Sequence, residues 1–305
     1  MKAKKILYLL PLLLIVAVAL FFSCESLGAV TQIGASFAQS AGFISSDVAD
    51  AITKSGVAWS KTFEQITPEQ EYYIGRAVAA NVVTAYKIQT STPELTAYVN
   101  KICNALVINS PRSEIFNGYH ANILDSDEIN AFATPGGHIF ITRGLISCTT
   151  SEDELAAVIA HEVSHIQLEH GLKAIKNSRI NQALAVTATS AGSAATGVDL
   201  EELTSTIGLS INEIVTTMMT NGYSRNQEYD ADSTAMVLMS LAGYEPSSLI
   251  SMLRVLEKNQ SVHPGGFNST HPTPAQRITN AEKSVGKFTV EDTQSYRMGR
   301  FASVI

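Results

Sequence analysis

Cysteine and positive charge are both scarce in this 305-residue chain, and each shortage removes a class of function. The three cysteines, Cys24, Cys103 and Cys148, form no C-x-x-C pair, which disfavours a cysteine-based metal or redox centre. Lys and Arg number 21 against 28 Asp and Glu, a net charge of -7; setting aside Lys2, Lys4 and Lys5 leaves 18 against 28, or -10. That sign disfavours a general nucleic-acid role. After the first two dozen residues there is also no long apolar run. The loosely patterned stretch 172–221, Ala/Ser/Thr/Gly-rich at 185–197, reads as helix and loop, and Asp199, Glu201, Glu202 and Glu213 interrupt it too often for a bilayer crossing.

What is present begins with a targeting pattern. MKAKK is basic, Ile6 to Phe22 is uninterrupted apolar sequence, and Ser23-Cys24 closes it, in the layout of a bacterial lipoprotein signal. Phe21 and Phe22 depart from the usual residues of such a signal and Ser23 fits it. Lipidation at Cys24 or an uncleaved anchor would each tether the chain to a membrane on the periplasmic side of a bacterial envelope. Cys103 and Cys148 then either pair in that oxidising compartment or stay as buried thiols.

Residues 24–64, with the single tryptophan Trp59, read as a tether running into a weakly specified helix, and residues 65–288 as the folded domain. Thr67-Pro68-Glu69-Gln70 has the form of a capped helix start, and Thr92-Pro93-Glu94 opens a second helix. Tyr119 to Leu124 alternates as a strand. INAFATPGGHIFITRG reads as two strands joined at Pro135-Gly136-Gly137, with Ile139 and Ile141 on one face and His138, Phe140 and Thr142 on the other. The pair is either a plain hairpin or an edge that accepts an extended peptide as an added strand. Residues 289–305 show no strong pattern and read as a tail.

The chemistry is concentrated in SEDELAAVIAHEVSHIQLEHG, residues 151–171. Ser151 and Glu154 have the form of a capping box, three acids sit in the first turn, and Gly171 supplies a stop. On a helix, His161 and His165 share one face a turn apart and can aim two imidazoles at one metal ion. Glu162 lies beside them, placed to take a proton from a metal-bound water. Farther on, Glu228 and Asp232 are also four apart on a helix stopped by Gly243, with Ala231, Ala235 and Leu238 around them. Carboxylates in such surroundings require a positive partner. His161, His165 and Glu228 then make three zinc ligands, with Asp232 behind a ligand histidine. His271, just ahead of the helix start Thr273-Pro274, and Arg277, one turn in, are candidate donors to the oxygen of a tetrahedral intermediate.

Taken together, TPEQEYYIG, NAFATPGGHIFITRGL, HEVSHIQLEH, SRNQEYDAD and THPTPAQRI resemble zinc metallopeptidase family M48, over roughly 66–281. That family includes the CAAX prenyl proteases, the HtpX-like proteases and the BepA-like envelope proteases. The resemblance implies an α+β, mainly α-helical, zincin-type fold with a small mixed sheet whose edge strand faces the cleft. It implies one zinc per chain and Glu228 as third ligand, with Ala133, Gly137, His138 and Ile139 on the substrate side, and unfolded or extended polypeptides as substrates. His271 resembles a loop histidine that in some relatives approaches the metal and limits access. His170 matches a frequent histidine of the family; a helix running to Gly171 turns it away from the ligands, into structural support. His120 and His138 are expected in hydrogen-bonding core roles and His263 in a solvated loop. Multi-span membrane segments and tetratricopeptide helices are missing, so the chain resembles the exported, single-tether members. The expected function is a zinc metalloendopeptidase acting on misfolded or unassembled envelope proteins. A chaperone-like assembly factor that grips extended segments and cuts little is the alternative, and a non-peptidase zinc hydrolase a third reading.

Overall fold

A computed structural model describes residues 27–42, 44–63, 65–177, 179–180, 214–216, 218, 221–259, 270–271, 274–290 and 293–305. The signal-like segment with Cys24, the 185–197 stretch and His263 lie outside the described residues. Among the described residues no helix is long and apolar enough to cross a membrane. The chain divides into two compact units, residues 1–66 with 175–210 and residues 67–174 with 211–305.

In the first unit, α1 (Leu27–Ser40) and α2 (Ser46–Phe63) pack together. Ala35, Ala38, Ala49 and Ala58 are buried, and side chains this small let two helices approach closely.

The second unit is mainly helical around a three-stranded sheet. It opens with α3 (Pro68–Ala85), where Thr67 and Gln70 complete both halves of the expected capping box. The buried residues Glu71, Gly75, Val78, Ala79 and Val82 recur at helical spacing and define the inward face. Helix α4 (Pro93–Val107) follows. Strands β1 (His120–Leu124), β2 (Ala131–Ala133) and β3 (His138–Thr142) form a mixed sheet in the order β1-β3-β2. The central β3 runs parallel to β1 and antiparallel to β2. Ile139, Phe140, Ile141 and Thr142 are all buried, so β3 is covered on both faces. His120 is exposed, with Nε2 2.6 Å from the carbonyl of Asn117, in place of the core role its sequence suggests.

A short helix α5 (Arg143–Cys148) leads into α6 (Glu152–Gln167), the centre of the core. Every residue from Glu152 to Ile166 is buried. Ala156, Ala157 and Ala160 keep α6 slim enough for α4, α7 (Arg225–Leu241), α8 (Ser247–Asn259) and β2 to close around it. Cys103 and Cys148 are free thiols. Helix α9 (Pro274–Ala281) packs on α7 and α8.

Residues 294–304, patternless in sequence, form α10 (Gln294–Val304). It is anchored by charge. Arg297 Nε donates to Asp153 Oδ2 at 2.9 Å and Arg300 Nη2 to Glu152 Oε1 at 2.6 Å, while the hydroxyls of Tyr98 and Tyr244 also donate to Glu152. Acids in the first turn of α6 suit its dipole, and these partners allow them to be buried there.

Candidate metal centre

Helical spacing on α6 sets the first half of the site. His161 Nε2 and His165 Nε2 lie 3.1 Å apart, one turn from each other on the same face. Helix α7 brings Glu228 against them, Oε2 3.4 Å from His161 Nε2 and Oε1 3.5 Å from His165 Nε2. The residue just ahead of α9 supplies a fourth donor: His271 Nδ1 is 3.3 Å from His161 Nε2 and 3.1 Å from Glu228 Oε1. These four side chains are buried, and one ligand atom from each lies within 4.8 Å of the others.

Behind this cluster the charges interlock. One turn beyond Glu228, Asp232 places Oδ1 3.0 Å from His161 Nδ1, the expected position for fixing that ring. Arg277 is buried, donates to both oxygens of Asp232 at 2.6 and 2.8 Å, and stands 3.0 Å from Glu228 Oε2. Its guanidinium thus braces the carboxylates from behind. The bidentate grip of Asp232 engages Nε and Nη2, and Nη2 also lies 3.2 Å from His161 Nδ1.

Burial and the Arg277 cation lower the proton affinity of His161. Its hydrogen bonds to Asp232 and Glu228, with the charge on Glu228, outweigh them and lift its pKa to about 9. Burial drives His165 well below the ordinary histidine range. Glu228 would be raised by burial, yet the His271 and Arg277 charges and its histidine hydrogen bonds hold it well below the usual carboxylate range. Burial raises Glu162. Neither oxygen of Glu162 has a hydrogen-bond partner among the described residues; His271 Nε2 lies nearest, 3.6 Å from Oε1.

These features fit zinc. Two imidazoles and a carboxylate are one of the donor sets that hold zinc at catalytic centres. Three buried carboxylates, Glu162, Glu228 and Asp232, face one fixed cation, Arg277, and a divalent ion offsets the surplus. The hydrogen-bond capacity left over at Glu162 points the same way.

Two features of the site were missed by sequence reasoning. Tyr223 is buried and stacks on His165 with ring centroids 4.1 Å apart and 18° between planes, while its N–H donates to the carbonyl of Thr270, next to His271. Nothing in the sequence signals which ring it meets. The second is the turn of His170 back toward His165: α6 stops at Gln167 rather than at Gly171, Glu169 takes the left-handed conformation at φ 57°, and His170 Nδ1 comes to 2.8 Å from His165 Nδ1. Burial pushes His170 down to about 4, so at neutral pH it is an uncharged imidazole able to accept a hydrogen bond.

Of the expected substrate-side residues, Ala133 alone lies in the edge strand. Gly137 belongs to the turn, while His138 and Ile139 are on the central strand, with β1 and β2 on either side. The backbone of Ile139 is therefore taken. Thr134 N–H bonds to His138 and Thr142 N–H to Asn130, which puts Phe132 and Phe140 in a bonded pair and turns the main-chain groups of Ala131 and Ala133 away from β3. The turn is pressed onto α3: Glu71 Oε1 accepts from Gly136 N–H at 3.2 Å, and a methyl on Gly75 would strike the carbonyl of Pro135. Gly136 holds φ 71°, with Tyr72 Cα too close for a side chain.

The chain is 25% identical over 223 residues to the beta-barrel assembly-enhancing protease of Yersinia pestis, covering 70% of this chain and 43% of that protein. It is 25% identical over 227 residues to the mitochondrial metalloendopeptidase OMA1 of Schizosaccharomyces pombe, 73% and 63% of the two chains, and 27% identical over 192 residues to the metalloprotease LoiP of Escherichia coli, 62% and 70%. The match spans less than half the length of the beta-barrel assembly-enhancing proteases. Residues 91–285, well over half of the chain and containing His161, His165, Glu228, His271 and Arg277, match Peptidase family M48, and the chain belongs to that family.

Proposed function

We propose that this chain is a zinc metalloendopeptidase that hydrolyses misfolded or unassembled cell-envelope proteins. In this reading His161, His165 and Glu228 hold the ion. Bound zinc supplies Lewis-acid polarisation of water and of the scissile carbonyl. Glu162 takes the proton of the attacking water and passes it to the leaving amine, a role that its burial and unused hydrogen-bonding capacity suit. Asp232 orients His161, and Arg277 keeps Glu228 and Asp232 ionised. An extended substrate pairs with the outward main-chain groups of β2, beside α6.

The observation that carries the reading is the convergence of two imidazoles, one carboxylate and an unpartnered glutamate in one buried, charge-compensated cluster. The envelope setting is supported by the basic, apolar and Cys24 layout of the first 24 residues and by similarity to proteins named beta-barrel assembly-enhancing protease. We take the folded peptidase to begin at about residue 65 and to include α10, beyond the 288 boundary expected from the sequence, and to be tethered through Cys24 or an anchor.

The test is hydrolysis of an unfolded reporter polypeptide by the zinc-loaded chain beside Glu162→Gln. Cleavage by the wild type with a loss of about 10²–10⁴-fold in the variant, zinc being retained, is expected. Equal cleavage by both would sink the mechanism. One observation favours the alternative of a binding factor that cuts little: His271 Nδ1 already stands among the donor atoms, in the place a fourth ligand takes. His271→Ala separates the two, because a blocked peptidase gains turnover and a binding factor does not.

A further inference from the structure

Position 170 follows His165 by five residues, which on an uninterrupted helix rotates it about 140° away from that side chain. The fold undoes this rotation. Leu168 N–H closes the last turn onto Ser164, Glu169 adopts φ 57°, and the chain reverses before becoming helical again at 170–177. The reversal is gripped from outside by Arg112, whose Nη1 donates to the carbonyl of Ile166 at 2.9 Å and lies 3.5 Å from Glu169 Oε1. Glu71 in turn accepts from Arg112 Nη2 at 2.8 Å.

The result is a contact between two Nδ1 atoms 2.8 Å apart, with rings 4.9 Å apart at 67°. Only one of the two nitrogens can carry the bridging proton. Nε2 of His165 faces His161 and Glu228, so a metal-binding His165 must keep that atom bare and its proton on Nδ1. His170 must then accept through its own Nδ1. The Nε2 of His170 is buried and has no hydrogen-bond partner among the described residues, so its hydrogen bonding is directed to His165 alone. Tyr223 covers the flat face of His165, which leaves the ring free to choose its tautomer but not its plane.

We propose that His170 is a positioning residue that accepts the Nδ1 proton of His165 and so presents the bare Nε2 of His165 to the metal. This rests on the reading of His165 as a zinc ligand. His161 has a carboxylate, Asp232, for the same task, so the two histidines of one motif are oriented by chemically different partners. An imidazole acceptor brings no negative charge, whereas a second carboxylate would add one to a cluster that already holds three carboxylates.

The experiment is zinc affinity of the full chain by competition with a chromophoric chelator, for wild type, His170→Leu, His170→Met, His170→Gln and His165→Leu, with thermal unfolding of each zinc-free protein alongside. The expected result is about 10- to 100-fold weaker zinc binding in His170→Leu and His170→Met, and recovery to within about threefold of wild type in His170→Gln, whose amide oxygen can accept the proton. His170→Met carries the comparison if His170→Leu does not fold. Wild-type affinity in the leucine or methionine variant overturns the proposal, as does a glutamine variant as weak as they are, which would make the role one of shape. Undiminished binding by His165→Leu would instead overturn the ligand assignment itself.

Discussion

Asp232 Oδ1 lies 3.0 Å from Nδ1 of His161, on the opposite edge of the ring from the nitrogen that faces Glu228. That carboxylate is placed to hold the Nδ1 proton of His161, while Arg277 holds the same carboxylate by two further bonds. Removing the charge at this point acts on the metal first. In Asp232→Asn, zinc affinity is expected to fall about tenfold or more with the fold kept, measured by chelator competition and circular dichroism. Asp232→Ala additionally leaves Arg277 buried without its main partner and should lose about 3–5 kcal/mol of stability. A wild-type zinc affinity in Asp232→Asn would reduce the residue to a packing role.

The lift of His161 to about 9 makes zinc uptake depend on pH. In the metal-free protein that ring holds a proton at neutral pH, and zinc must displace it. Apparent affinity should rise about tenfold per pH unit from pH 7 up to the region of 9 and then level off. The fold responds in the opposite sense: a raised histidine stabilises the metal-free protein below its ordinary pKa, and that contribution disappears as pH climbs through about 9. Titration calorimetry in buffers of different ionisation enthalpy should register one proton released per zinc; none released would contradict the protonated ring.

Glu71 joins the turn of the edge strand to Arg112, and through it to the end of α6. In Glu71→Ala the Gly136 N–H loses its acceptor, at a cost of about 1–3 kcal/mol. The strand proposed to receive the substrate loosens, so KM for a peptide should rise several-fold more than kcat falls, with zinc affinity little changed because Arg112 keeps its bond to Ile166. Glu71→Gln, which can still accept from Gly136, should recover most of the KM. A variant that lost zinc and KM in equal measure would show that Glu71 serves the metal helix and not the strand.

Arg297 and Asp153 form a buried pair between α10 and the start of α6. Arg297→Ala is expected to cost about 3–5 kcal/mol and lower the unfolding midpoint on the order of 10 °C. Arg300 is largely solvent-exposed, and its loss should cost no more than about 1 kcal/mol. Thermal melts of the two variants side by side test the ranking, and equal effects would refute it.

The elements legible in the sequence are those whose chemistry repeats with the period of the backbone. His161 with His165, and Glu228 with Asp232, are four apart and fall together on their helices. Thr67 and Gln70 announce α3, and Pro135-Gly136-Gly137 marks the turn between β2 and β3. Features set by contacts remote in sequence were not legible. Arg112 reaches the end of α6 from a distant part of the chain, bonding Ile166 beside the turn that points His170 at His165. Arg277 takes its direction from Asp232. Helix α10 has no apolar stripe to betray it, because what it brings to the core is guanidinium groups placed on buried acids.

The surplus of negative charge around His161 and Glu228 also makes metal supply a matter of survival for the chain. Whatever binds the folded state and not the unfolded one shifts the balance between them, and zinc at about a hundred times its dissociation constant adds about 2.7 kcal/mol. A molecule starved of the ion keeps three carboxylates in its interior with only Arg277 and the protonated His161 to answer them, so it is expected to open more often and to expose α6 to other proteases. The population of intact peptidase then follows the zinc available to it, and copies that lack the means to cut are the ones removed first.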